Sequence, residues 1–91
     1  MARTLAAEWG RYGIRCNVVM PGLIATPKVL ALPAAARSAM SEALPLGRLG
    51  EPAELAATIA FLLSPAAAYI TGTIIRVDGG YGLNTVSLTR N

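Results

Sequence analysis

Histidine is absent from this 91-residue sequence, and its absence excludes Ser-His-Asp hydrolysis, Cys-His chemistry and most zinc sites. Cysteine occurs once, as Cys16, so no internal disulfide can form and the framework of a small secreted domain is ruled out. Charged residues make up only 14% of the chain, which is too few for the highly charged, weakly hydrophobic composition of a disordered segment. The longest uncharged run, residues 55–75, is interrupted by Pro65, Gly72 and several hydroxyls, so no membrane span and no membrane partner are expected. The first residues include Arg3 and Glu8 rather than the basic start and apolar core of a signal peptide. A reducing, cytoplasmic setting is the expectation left by these absences.

The net charge of +3 arises from eight basic and five acidic residues. The basic ones are spread from Arg3 to Arg90 without a cluster and without interleaved aromatics. A nucleic-acid footprint gathers such charges on one face, so no nucleic-acid partner is expected. What the chain has in abundance is apolar material, 54% of its residues. A chain of this length buries only about 60–70% of its unfolded surface, which leaves much apolar surface wet if it stands alone. The composition is that of the interior of something larger.

Residues 1–9 read as a helix, with Leu5 and Trp9 on one i, i+4 face, followed by a turn at Gly10 and Gly13. Nothing precedes Met1 to satisfy the first N–H groups of that helix, so a cut end is expected there. Residues 14–20 alternate as a strand, with Ile14, Cys16, Val18 and Met20 on one face and Arg15, Asn17 and Val19 on the other. Pro21-Gly22 stops the strand. Residues 23–32 read as a loop, Pro33 suits a first helical position, and a short helix follows over 34–43, ended by Pro45. After a loop at 46–50, residues 52–63 form the clearest helix, with Leu55, Ala56, Ile59, Leu62 and Leu63 on one stripe. Phe61 lies on the opposite side, which predicts that this second face also meets something. Residues 73–78 read as a second strand turning at Asp78-Gly79-Gly80, and the polar tail 84–91 is expected to fray.

Two strands joined by a long helical crossover lie parallel, and parallel strands are normally covered on both faces and flanked by further strands. A sheet of two strands is marginal by itself. The expected fold is therefore α/β: half of a doubly wound parallel domain rather than a whole one. In such sheets ligands bind beyond the carboxyl ends of the strands. Here that position is held by the run Pro21-Gly22-Leu23-Ile24-Ala25-Thr26-Pro27. A glycine lets a ligand approach the backbone closely, and free N–H groups beside a threonine hydroxyl suit an amide or a phosphate. A plain strand-to-loop turn is the alternative for Pro-Gly alone.

The run Gly13-Ile14-Arg15-Cys16-Asn17-Val18-Val19-Met20-Pro21-Gly22, followed by Ile24 and Thr26, resembles the late strand of the short-chain dehydrogenases/reductases. So does Pro45-Leu46-Gly47-Arg48-Leu49-Gly50-Glu51-Pro52 with the helix after it, and so does Tyr69-Ile70-Thr71-Gly72-Thr73 running into Val77-Asp78-Gly79-Gly80. The three blocks occur in the family's order, and residues 2–8 look like the end of its active-site helix. The resemblance implies that residues 1–91 are the C-terminal portion of a Rossmann-type, doubly wound parallel sheet in one dinucleotide-binding domain, and that the protein is an oxidoreductase transferring hydride between NAD or NADP and a small alcohol or carbonyl substrate. It implies that backbone at Ile24 and the hydroxyl of Thr26 meet the nicotinamide carboxamide or nearby pyrophosphate, and that Pro21 and Gly22 shape that wall. It further implies a substrate lid over 27–46 and a homo-oligomer formed through helix 52–63 and strand 73–78, which would give Phe61 its partner.

Two family features are missing. The glycine-rich cofactor fingerprint follows a first strand and opens a helix, whereas Gly79-Gly80-Tyr81-Gly82 follows the last strand and reads as a turn. The family's catalytic pair is Tyr-x-x-x-Lys, because a proton-donating tyrosine needs a nearby cation to bring its pKa toward working pH. Four residues after Tyr12, Tyr69 and Tyr81 stand Cys16, Thr73 and Thr85, and Lys28 follows Ile24 at that spacing. No catalytic residue is therefore assigned, the pair is expected just upstream of Met1, and the chain by itself is expected to be inactive. Cys16 is expected as a small core hydrophobe, Trp9 and Met20 as packing, and Asp78 as a turn former rather than a metal ligand. Asn17 anchors backbone near the site or caps a neighbouring loop. A non-catalytic oligomerisation or interaction module remains the alternative function.

Overall fold

The computed structural model describes residues 1–81. Helix α1 (Ala2–Trp9) begins at Met1 without a side-chain cap, its first turn closed by Leu5 N–H donating to the Met1 carbonyl at 3.1 Å. A 3-10 turn over Gly10–Tyr12 ends on Gly13 at φ 75°, a left-handed conformation that glycine adopts without steric cost. The chain then enters β1 (Val18–Pro21), which pairs in parallel with β2 (Ile74–Val77), setting Val18 opposite Ile74 and Pro21 opposite Val77. Proline lacks the ladder N–H, and Pro21 accordingly closes the strand.

Strand β1 is shorter than the alternation of 14–20 predicts, because residues 15–17 spend their hydrogen bonds on a loop rather than on a ladder. Cys16 N–H donates to Thr71 Oγ1 at 3.0 Å, Gly72 N–H donates to the Cys16 carbonyl at 2.7 Å, and Arg15 Nη1 donates to the Ile70 carbonyl at 3.2 Å. Asn17 clamps the same loop from both sides, its Nδ2 donating to the Ile70 carbonyl at 3.1 Å and its Oδ1 accepting from Thr73 N–H at 3.2 Å. Of the two roles open to Asn17 it fills the loop-capping one. Cys16 is half-buried and stands before the strand rather than on a covered face of it. Within β1, Val19 is the better covered residue, while Val18 and Met20 are exposed.

The segment expected as a continuous loop holds a short helix, α2 (Pro27–Leu30), capped by Thr26, whose Oγ1 accepts from Val29 N–H at 3.3 Å. Pro33 is the N-cap of α3 (Ala34–Glu42) rather than its first residue. Helix α4 (Pro52–Leu62) stops one residue short of expectation, with Leu63 at its C-cap. Its covered row is Leu55, Thr58 and Leu62, not the stripe through Ile59 and Leu63; Leu63 is 78% exposed. Apolar residues surround this helix, so its periodicity leaves the inward direction open and packing decides it. A 3-10 turn over Pro65–Ala67 leads on toward β2, and its Ala67 is fully covered.

Among the described residues the buried hydrophobic set is Ala2, Leu44, Leu62 and Ala67. Trp9 and Met20, expected to pack, are 42% and 43% exposed. Among the described residues the sheet has two strands, β1 beside β2. No helix of the described residues is long and apolar enough to cross a membrane, and no group of three or more potential metal ligands occurs among them. The tail 84–91 lies outside the described residues.

Candidate functional site

At the carboxyl ends of β1 and β2 the backbone is packed too closely for a side chain. Gly22 N–H donates to the Val77 carbonyl at 3.0 Å. A Cβ at Gly22 would stand 2.7 Å from Asp78 Cβ and 2.8 Å from Asp78 Cα. Asp78 makes the expected turn, its Oδ1 accepting from Gly80 N–H at 3.0 Å and its carbonyl from Tyr81 N–H at 3.0 Å. The turn also holds the far end of the 27–46 segment, because Leu46 N–H donates to the Gly79 carbonyl at 3.1 Å. The glycines of 79–80 therefore serve a clasp, and Gly82 lies outside the described residues.

Beyond Gly22 the chain makes a second parallel pairing, Ile24 with Gly50. Gly50 N–H donates to the Leu23 carbonyl at 3.0 Å and Ala25 N–H donates to the Gly50 carbonyl at 2.8 Å. Thr26 N–H turns back onto the Ile24 carbonyl at 2.8 Å. The expectation of several free N–H groups in this loop is thus corrected: Ala25 and Thr26 spend theirs internally. The N–H of Ile24 donates to no described residue. It is the alternation of a bridge that leaves it so, since Leu23 and Ala25 carry the pairing and Ile24 faces away from it.

Pro21, Gly22, Ile24 and Thr26 all line one open cleft of about 420 Å³, together with Leu23, Val29, Pro52 and Leu55. The four residues singled out in the sequence are thereby brought together. The cleft is apolar apart from backbone groups and the exposed Thr26 hydroxyl, whose oxygen accepts from Val29 N–H while its proton stays available to a ligand. Tyr12, Tyr69 and Tyr81 line no part of it.

The sequence reading passed over a polar brace behind Ile24. Arg48 and Glu54 form a two-pronged pair, Nη1 to Oε1 and Nη2 to Oε2, both at 2.8 Å. Glu54 Oε1 also accepts from Glu51 N–H at 2.8 Å, and Arg48 Nη1 donates to the Leu49 carbonyl at 3.2 Å. The Arg48 bond, followed by the Glu51 N–H, holds the Glu54 carboxyl well below its ordinary range, at about 2. The same pairing raises the pKa of Arg48. The signal was present in the sequence as Glu-Pro-x-Glu opening a helix, the acid in its first turn facing the N-cap.

A family model of the short-chain dehydrogenases, described as enoyl-(acyl carrier protein) reductase, matches residues 1–82. The chain belongs to the short-chain dehydrogenase family. It is similar to human (3R)-3-hydroxyacyl-CoA dehydrogenase, with 46% identity over 88% of this chain and 31% of that protein. It is also similar to galactitol 2-dehydrogenase (L-tagatose-forming) of Cereibacter sphaeroides, with 47% identity over 89% of this chain and 33% of that protein. Among solved structures, a short chain dehydrogenase family protein from Francisella tularensis superposes with a TM-score of 0.82 at 31% identity, covering 91% of this chain and 39% of that one. The chain thus spans about a third of the length of the curated relatives it matches. The α/β reading with a parallel pair, as a portion of a Rossmann-type fold, holds.

Proposed function

We propose that the cleft at the ends of β1 and β2 is the nicotinamide end of an NAD- or NADP-binding site in an oxidoreductase acting on a small alcohol or carbonyl compound. The observation that carries this is that Pro21, Gly22, Ile24 and Thr26 line one apolar cleft at the carboxyl end of parallel strands, where the N–H of Ile24 has no partner among the described residues. A carboxamide needs a donor for its oxygen and an acceptor for its NH2 group; Ile24 N–H suits the first and the second lone pair of Thr26 Oγ1 the other. The nicotinamide, when bound, supplies the hydride chemistry. With a nicotinamide bound, Ile24 N–H would donate to the carboxamide oxygen, Thr26 Oγ1 would accept from its NH2 group, and Pro52, Val29 and Leu55 would exclude water around them. Gly22, by carrying no side chain, lets the cleft-lining backbone close onto the Asp78 turn. The segment 27–46, anchored at Thr26 and at Leu46, serves as the substrate lid.

No residue of this chain is assigned the proton transfer. Tyr-x-x-x-Lys is absent from it, so the isolated chain is expected to show no turnover with NADH or NADPH and carbonyl compounds. A measurable rate abolished by Thr26→Ala would contradict that. The binding role is tested by amide NMR of the chain titrated with NADH and NADPH: resonances of residues 22–26 should move, and Ile24→Pro, which deletes one N–H while leaving the bonds of Gly50 to its neighbours, should suppress the movement. Unchanged resonances at 22–26 would refute the cofactor reading. Phe61, Leu63 and Ile74, at 45%, 78% and 54% exposure, favour a subunit contact through helix 52–63 and strand 73–78. The same surface would serve a non-catalytic interaction module, the reading that survives if no dinucleotide binds.

A further inference from the structure

The geometry points to Arg48 and Glu54 as positioning residues that fix the cleft-lining segment 23–25 from behind. Neither side chain donates to or accepts from that segment; both act through Gly50. Arg48 holds the Leu49 carbonyl and Glu54 holds Glu51 N–H, so the two peptide units flanking Gly50 are gripped by one ion pair. Gly50 in turn holds the Leu23 carbonyl and Ala25 N–H, the bonds on either side of Ile24. The coupling runs through these two backbone bonds, of 3.0 and 2.8 Å, which grip the peptide units on both sides of Ile24. A planar guanidinium meeting both carboxylate oxygens fixes orientation as well as distance, which a lysine at position 48 would not do. The direction of Ile24 N–H is thereby set by two residues, of which Glu54 stands four positions beyond Gly50 and anchors the first turn of α4.

The consequence for the nicotinamide rests on the cofactor reading above; the mechanical coupling does not, and one experiment separates them. Amide hydrogen exchange is measured on the native chain, Arg48→Gln, Arg48→Lys, Glu54→Gln and the Arg48→Gln/Glu54→Gln pair. Exposed ion pairs shift local equilibria only modestly, so exchange at Gly50 and Ala25 should quicken by about two- to fivefold in each single variant. The double variant should add nothing beyond the worse single one, Arg48→Lys should resemble Arg48→Gln, and Val18 N–H, bonded to Thr73, should keep its rate. Equal exchange at Gly50 and Ala25 in native and variant chains overturns the inference, as does an acceleration spread evenly over Val18 as well. The dinucleotide-induced shift of the Ile24 amide is recorded in the same samples. If the native chain responds to NADH and Glu54→Gln responds identically, the positioning role fails and the cofactor reading stands. If the exchange pattern appears but no chain responds to either dinucleotide, the brace stands and the cofactor reading fails.

Discussion

A methyl group at position 22 would stand 2.8 Å from Asp78 Cα and 2.7 Å from its Cβ. Neither atom is the free end of a flexible side chain, so β1 and the Asp78 turn must separate to admit it. Gly22→Ala is expected to cost about 1–3 kcal/mol, read as a lower urea midpoint at unchanged slope. Glu54 gives a second prediction at this scale. Its folded pKa of about 2 lies below the ordinary 4.5, so its stabilising contribution is complete above pH 4.5 and is lost as pH falls toward and through 2. The native chain should therefore lose more stability between pH 4.5 and 2 than Glu54→Gln does, measured as urea midpoints across that range. Parallel curves for the two chains would show that the carboxylate is not held as described.

At the scale of elements, the entry to the sheet depends on Asn17. It ties residue 70 to residue 73 across the start of β1, through two bonds of 3.1 and 3.2 Å. Asn17→Ala removes both, leaving Thr73 N–H to find another partner, and should cost about 1–3 kcal/mol. Hydrogen exchange at Thr73 and Val18 should rise with it; a loss of stability without faster exchange at those amides would place the effect elsewhere. Asn17 shows how far local pattern reaches. The alternation of 14–20 and the Pro21-Gly22 stop located β1, but nothing local says that residues 15–17 bond to a loop some 55 positions on. Thr26-Pro27 is a cap followed by a first-turn proline, a legible start for α2 hidden inside a segment read as loop. In α4 the start at Pro52 was legible and the covered row was not, because a helix apolar on every side carries no directional signal.

For the whole molecule, the site was more legible than the body that carries it. Pro21, Gly22, Ile24 and Thr26 lie within six positions, so any fold that ends a strand at Pro21 brings them to one cleft. The wall behind them comes from Gly50 and Glu54, more than twenty positions away, and only the tertiary pairing shows it. The described residues bury four hydrophobic side chains and leave Leu63, Ile74 and Phe61 open to solvent. A chain with such a surface should associate as its concentration rises, and light scattering or sedimentation should show a mass that grows over the micromolar range. A monomer whose mass is independent of concentration would argue against a contact through helix 52–63 and strand 73–78.

The central claim is that residues 21–26 form a working wall for a nicotinamide group, and a chimera tests it most directly. Residues 1–81 are grafted into human (3R)-3-hydroxyacyl-CoA dehydrogenase in place of the region they match at 46% identity, and turnover is measured with and without Ile24→Pro. The folded chimera should retain dehydrogenase turnover and lose about a hundredfold of it on Ile24→Pro, the scale expected when a reacting group is misplaced. A folded chimera without turnover, or one indifferent to Ile24→Pro, would contradict the claim.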